Sequence, residues 1–283
     1  MTSSPPSSSP GLWHQILHAS WTWRVTWFYL IVFLFLPMAA LVLKALTLNP
    51  AEIWRIATDP VAISTYNVTF FTALVASIIN GFAGLIIAWV LVRYEFPGKR
   101  FLDAIIDLPF ALPTAVAGLT LSTIYSTNGW IGGFLEPFGI KVSFTRLGVL
   151  VAMIFIALPF SVRTVQPVLQ DMESEMEEAA WSMGASQWQT FWRVTLPSIK
   201  WSLLYGLILT NARAMGEFGA VTVVSGNIVG KTQTLPLFIE EAHIQYNTQA
   251  AYTASLLLAC LAVVTLVLKY LLERRAGIQH RGH

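Results

Sequence analysis

The sequence predicts an all-α polytopic membrane protein with six transmembrane helices, and three observations predict it. Apolar residues make up 55% of the 283-residue chain and charged ones only 11%, with a mean hydropathy of +0.62. A water-soluble domain of that composition would expose large sticky patches. Six apolar stretches, at 27–46, 69–92, 104–126, 147–164, 201–224 and 251–271, meet the length of roughly 20 residues that crosses a hydrocarbon core as a helix. None alternates in the manner of a barrel strand, and a lipid-exposed backbone must satisfy its own hydrogen bonds, so each is read as helical.

Charge and cysteine usage narrow the function classes. A net charge of +2, with 17 basic residues scattered rather than gathered into a stripe, excludes nucleic acid as a partner. The single cysteine, Cys260, excludes an intrachain disulfide and a cysteine-rich metal site. His14, His18, His243, His280 and His283 show no ligand spacing, so no metal is expected.

Taken in order, residues 1–20 open with a Ser/Pro-rich stretch and are expected to form a disordered cytoplasmic tail. Trp13, Trp21, Trp23 and Trp27 suit the headgroup level of lipid, where they anchor the first span. That span and an external linker occupy 21–63; its apolar run is too long for a signal-peptide core, so an uncleaved helix is expected. The transmembrane core is placed at 64–272 and a cytoplasmic tail at 273–283. Orientation follows from the bases. Eleven of them (Arg24, Arg93, Lys99, Arg100, Arg163, Arg193, Lys200, Lys269, Arg274, Arg275, Arg281) fall on one face against five (Lys44, Arg55, Lys141, Arg146, Lys231) on the other, which puts both termini in the cytoplasm. Asp103 and Asp107 share a face at the cytoplasmic start of the third span, where pairing with a nearby base is favoured over a proton relay. Pro109, Pro113 and Pro159 are expected to kink their helices.

The polar gap before the fifth span, residues 171–197, is chemically dense. Asp171, Glu173, Glu175, Glu177 and Glu178 place five acids within eight residues, favourable at the start of a helix. Ala179 and Ala180 continue that helix, Gly184 permits a turn, and a second short helix runs through Trp188, Phe191 and Trp192 until Leu196-Pro197 ends it. The expected product is a helix, turn, helix unit with a small-residue surface that fits the groove of a partner.

The fifth span carries Asn211-Ala212-Arg213-Ala214-Met215-Gly216-Glu217-Phe218-Gly219-Ala220. A central arginine costs about 2.5 to 3.5 kcal/mol on insertion scales, so a charge here marks function by default. Arg213 lies about 20 Å above Lys200 at the helical rise of about 1.5 Å per residue. Arg213 and Glu217 are spaced to share one helix face. Two readings stand: mutual pairing or gating, which is favoured, and a lining for an anion path in which Arg213 donates to an oxyanion.

In register, Glu178-Ala179-Ala180, Gly184, Val194 and Leu196-Pro197 resemble the EAA loop of bacterial ABC importer permeases. The string from Arg213 to Ala220 resembles the fifth-span signature of permeases for sulfate, molybdate and related oxyanions. Likeness continues through Phe96-Pro97-Gly98-Lys99-Arg100, Asp107-Leu108-Pro109, Leu112-Pro113 and Ser225-Gly226-Asn227. The run from Gly230 to Leu237, followed by Tyr246-Asn247 and Ala250-Ala251, is most similar to the W-type permease of sulfate/thiosulfate importers. Molybdate permeases share several of these strings but are shorter, so the resemblance favours sulfate over molybdate or tungstate.

The resemblance implies a type I ABC importer permease (MetI-like) fold in the bacterial inner membrane. It implies a heterodimer with a related T-type permease, an ATPase pair that binds ATP and Mg, and a periplasmic sulfate-binding protein. This chain would carry no catalytic residue and no cofactor of its own. Glu177, Glu178, Ala179, Ala180, Gly184, Leu196 and Pro197 would couple to the ATPase; Arg213, Gly216, Glu217, Gly219, Lys231 and Thr232 would belong to the substrate path or gate.

The loop Gly226-Asn227-Ile228-Val229-Gly230-Lys231-Thr232 nearly spells a phosphate-binding P-loop, but only three residues separate its glycines where the motif needs four. It reads instead as outer gate, binding-protein contact or plain connector. Asn67-Val68-Thr69 matches a glycosylation acceptor by chance. A secondary transporter would show repeated halves with a coupling-ion site, and a channel a filter-like string; neither pattern is evident.

Overall fold

The computed structural model describes residues 12–172 and 174–276, and among them every regular element is helical. The chain divides into two units, 1–52 and 53–283. In the first, helix runs from Leu12 to Leu46, so residues 12–20 are helical where a tail was expected; they contain no proline or glycine to interrupt the ladder. Residues 1–11 and 277–283, and with them most of both expected tails, lie outside the described residues, as does Glu173. The stretch Trp21–Leu46 is long and apolar enough to cross a membrane, and its side chains are exposed nearly all round, as suits a lipid-facing helix. Trp23 and Trp27 meet edge to face at 5.5 Å.

The second unit is built on three mutually packed helices. Pro60–Arg93 starts where Asp59 Oδ1 accepts the Val61 N–H at 2.9 Å, with proline at its first turn. Its buried face is a stripe of small residues, among them Ala62, Thr65, Thr69, Ala73, Ala76, Asn80 and Gly84, which lets Arg146–Asp171 and the helix ending at Met215 approach closely. Two apolar cores result, one around Met153, Ile156 and Val221, the other around Leu85, Val162, Leu169 and Ile199. Asn80 Nδ2 donates to the Ile154 carbonyl across the interface at 3.1 Å. At the expected cytoplasmic end, Arg163 grips Asp107 with two nitrogens (2.8 and 2.6 Å) and Asp103 with a third contact of 2.6 Å. This is the pairing expected for those two acids.

Among the described residues four helices have the length and apolarity of a span: Trp21–Leu46, Pro60–Arg93, Arg146–Asp171 and Thr248–Leu272. The other two expected runs are broken. The third divides into Lys99–Ile106, Leu108–Ala111 and Thr114–Tyr125; the second of these breaks follows from Pro113, which drives Leu112 into an extended conformation (ψ 134°). The fifth runs as Leu196–Met215, stops at Gly216 and restarts as Gly219–Ser225. The two short distal pieces pack together at Gly118, where an added Cβ would lie 2.6 Å from the Ala220 carbonyl oxygen. Interrupted backbone of this kind persists at membrane depth only where protein or a water-lined cavity satisfies it.

Two prolines are absorbed rather than obeyed. Pro37 and Pro197 lack the N–H that would close a regular turn, and in each case a five-residue π-helical turn, Ile31–Phe35 and Phe191–Thr195, ends two residues before the proline. Helix therefore continues from Gln187 to Met215 without a break, which corrects the expectation that Leu196-Pro197 ends it. Leu196 keeps helical angles (φ −62°, ψ −43°), since widening the ladder relieves the proline clash that would otherwise push it out. Pro159 and Pro167 likewise lie inside Arg146–Asp171.

Candidate functional site

The loop between the fourth and fifth spans folds as two helices around a glycine corner. Ser174–Ser182 has Glu175 and Glu177 in its first turn, favoured by the helix dipole. It ends in a Schellman turn: the Ala185 N–H reaches the Ala180 carbonyl at 3.0 Å and the Gly184 N–H the Trp181 carbonyl at 2.8 Å. Gly184 has φ +86°, the left-handed conformation this turn requires. The next helix is opened by a capping box in which Ser186 Oγ accepts the Gln189 N–H and Gln189 Oε1 accepts the Ser186 N–H.

These turns sort the residues expected to couple to an ATPase into two groups. Glu178 and Ala179 are exposed beside Met176, Trp181 and Met183, the last 84% exposed. Ala180 is buried, and so is Glu177. Glu177 Oε1 accepts the Thr195 hydroxyl at 2.6 Å, and its Oε2 lies 3.1 Å from Arg93 Nε. Trp188 stacks near Phe191 and meets Trp192 edge to face, while Phe191 also packs on Trp89 of the long second-span helix. Leu196 and Pro197 lie in the continuous helix, directly after the π turn.

The intramembrane charges form one compact device. Arg213 Nη1 donates to Glu217 Oε2 at 2.6 Å, and Glu217 Oε1 accepts the Ala220 N–H at 3.0 Å. Glu217 is 1% exposed and the arginine side chain 31%. The carboxylate thus neutralises the arginine and also stabilises the start of Gly219–Ser225. Gly216 and Gly219 flank it at the helix break.

Thr232 serves the other end of the same short helix. Its hydroxyl donates to the Ser225 carbonyl at 2.7 Å and accepts the Ile228 N–H at 3.0 Å. Lys231 is exposed, and its carbonyl accepts from Arg146 Nε at 2.9 Å. Glu217 and Thr232 therefore act at opposite ends of one two-turn helix, while Lys231 stands apart from the Arg213 pair. The loop is closed by Glu241, which accepts from both Asn227 and Gln233.

Sequence reasoning missed Arg93, Thr195 and Asn80. Asn80 gave a readable signal, an amide in the middle of an apolar run. Arg93 and Thr195 gave none, because each reads as an ordinary residue at a helix end until folding brings both to Glu177.

Residues 80–278 match the family described as binding-protein-dependent transport system inner membrane component. The chain is 50% identical over 281 residues to the sulfate transport system permease protein CysT of Synechocystis sp., covering 97% of each. It is 48% identical over 250 residues to the CysW protein of that organism, covering 88% of this chain and 91% of that one. The likeness thus extends to both permease types. Among solved structures, a bacterial ABC transporter that imports alginate matches with a TM-score of 0.73 at 17% identity, over 95% of this chain and 99% of that one. The MetNI methionine ABC transporter, inward facing, matches at 0.52 and 18%, over 81% and 99%. At these identities the structural likeness is one of fold, and the fold is that of ABC importer permeases.

Proposed function

The chain belongs to the family of binding-protein-dependent transport system inner membrane components, and from that premise we propose that it is a permease subunit of an ATP-driven importer for sulfate and thiosulfate. The observation that carries this reading is 50% identity to a sulfate transport permease across 97% of the chain. Geometry supports the division of labour. The exposed surface of Glu178, Ala179, Trp181 and Met183 suits docking on a separate ATPase, which would bind ATP and Mg; the permease itself is no enzyme. Likeness to T-type and W-type relatives supports a heterodimer of this chain with its counterpart, fed by a periplasmic sulfate-binding protein. The family match supports residence in the bacterial inner membrane, and the excess of bases on one face supports both termini in the cytoplasm.

In this reading nucleotide binding biases a two-state permease, and the loop at 171–197 carries the bias into the membrane. Arg213 is the candidate anion contact. Glu217 engages it through Nη1 alone and leaves the side chain about a third exposed, enough for a passing oxyanion to be offered a hydrogen bond. Pairing with Glu217 weakens the net positive field, which suits a gate that must release its cargo.

The test is uptake of labelled sulfate into liposomes holding the assembled importer, with ATP or a non-hydrolysable analogue inside, competed by thiosulfate and by molybdate. Sulfate accumulation that requires hydrolysis and is competed by thiosulfate is expected. Uptake that persists without hydrolysis, or that molybdate alone competes, overturns the assignment.

A further inference from the structure

The two adjacent acids of the loop have been given opposite surroundings. Glu178 faces outward, whereas Glu177, one residue earlier and turned to another side of the same helix, is 5% exposed. A carboxylate is costly to bury unless it is paired and hydrogen-bonded. Its two oxygens meet different elements: Oε1 accepts the Thr195 hydroxyl at 2.6 Å, and Oε2 forms an ion pair with Arg93, whose Nε lies 3.1 Å away without hydrogen-bond geometry. Arg93 is the last residue of the helix Pro60–Arg93. Thr195, itself 2% exposed, is the last residue of the π turn at the root of the helix carrying Arg213.

We propose that Glu177 is a positioning residue that transmits movement of the Ser174–Ser182 helix to two membrane helices at once, through Arg93 and Thr195. This rests on the loop being the ATPase contact, as argued above. The exposed acid, Glu178, is placed to meet a partner. The buried acid has no access to a partner, yet it is fastened to the end of one span and the base of another. Packing of Phe191 on Trp89 at 5.6 Å adds a third contact between the same elements. Thr195 ends a π turn, the least regular part of its helix, where a small pull changes the ladder at lowest cost.

The experiment uses the complete importer in liposomes, with capture of the ATPase, ATP hydrolysed and sulfate moved measured on one preparation. Glu177→Gln and Thr195→Val should retain the ATPase yet lower sulfate moved per ATP by about tenfold, within the range of ordinary coupling energies. Thr195→Ser should return the ratio toward the parent value, and Arg93→Glu combined with Glu177→Arg should do better than either change alone. A merely structural role would lower the amount of importer and leave that ratio unmoved. An unchanged ratio in both Glu177→Gln and Thr195→Val overturns the proposal, and so does loss of the ATPase from both, which would make the pair part of the docking surface. Glu178→Lys is the separate control: if it keeps the ATPase bound, the reading of the loop fails, independently of Glu177.

Discussion

At Gly184 the backbone sits at φ +86° with nothing within 4 Å of where a Cβ would be built, so any penalty for a side chain there is conformational and not steric crowding. A left-handed residue other than glycine costs roughly 1–2 kcal/mol, and asparagine tolerates the conformation best. Gly184→Asn should therefore weaken ATPase capture less than Gly184→Ala, and Gly184→Val should be worst; equal behaviour of the three would show that capture does not depend on the left-handed turn. Asn80 is the opposite case, a residue whose value lies in one bond across helices. Its amide reaches the Ile154 carbonyl, five residues before Pro159. Membrane hydrogen bonds of this kind average about 0.6 kcal/mol, so Asn80→Leu should lower thermal stability in detergent only slightly. A collapse of the fold would show that Asn80 does more.

The spans the sequence made plain are those whose apolar run is also a continuous helix, such as Pro60–Arg93 and Arg146–Asp171. The third and fifth runs are also apolar enough to be read as spans, but apolarity reports burial in lipid or protein and not the continuity of the backbone. Leu112-Pro113 could have been read as a break, because a residue before proline is pushed toward extended angles. At Leu196-Pro197 the same rule misled, since a π turn upstream absorbed the missing donor. The Arg213 and Glu217 pair was legible from its spacing alone, whereas the contact of Glu217 with Ala220 depends on the break at Gly216 and has no sequence signature. That contact gives the pair a stability role to separate from transport. Removing one partner of a buried pair costs about 3–5 kcal/mol, because the other is left charged and alone. Arg213→Leu should destabilise the permease by that order in thermal unfolding, and Arg213→Leu with Glu217→Leu should recover much of it. Sulfate uptake should remain absent in the double variant if Arg213 contacts the anion. Recovery of uptake together with stability would assign the pair to structure only.

At the scale of the molecule, the proposal places two surfaces on opposite sides of the membrane: the loop around Gly184 for the ATPase and the loop around Gly230 for the periplasm. Charge asymmetry among the bases carries this placement, and it can be tested without transport. The chain has a single cysteine, Cys260, so Cys260→Ser gives a background without thiols. On it, Met183→Cys and Lys231→Cys each put one reporter on an exposed residue, one beside the Schellman turn and the other in the Gly226 to Thr234 loop. A membrane-impermeant maleimide should label Lys231→Cys in right-side-out vesicles and Met183→Cys only in inverted ones. Co-assembly with the ATPase should then shield Met183→Cys, 84% exposed in the isolated chain, while Lys231→Cys stays reactive. Labelling of both from one side would invert or abolish the topology, and with it the route by which nucleotide could act on the Arg213 helix. Shielding without loss of Lys231→Cys reactivity would place the ATPase on the face that carries Met183 and Glu178, the same loop that Glu177 joins to Arg93 and Thr195.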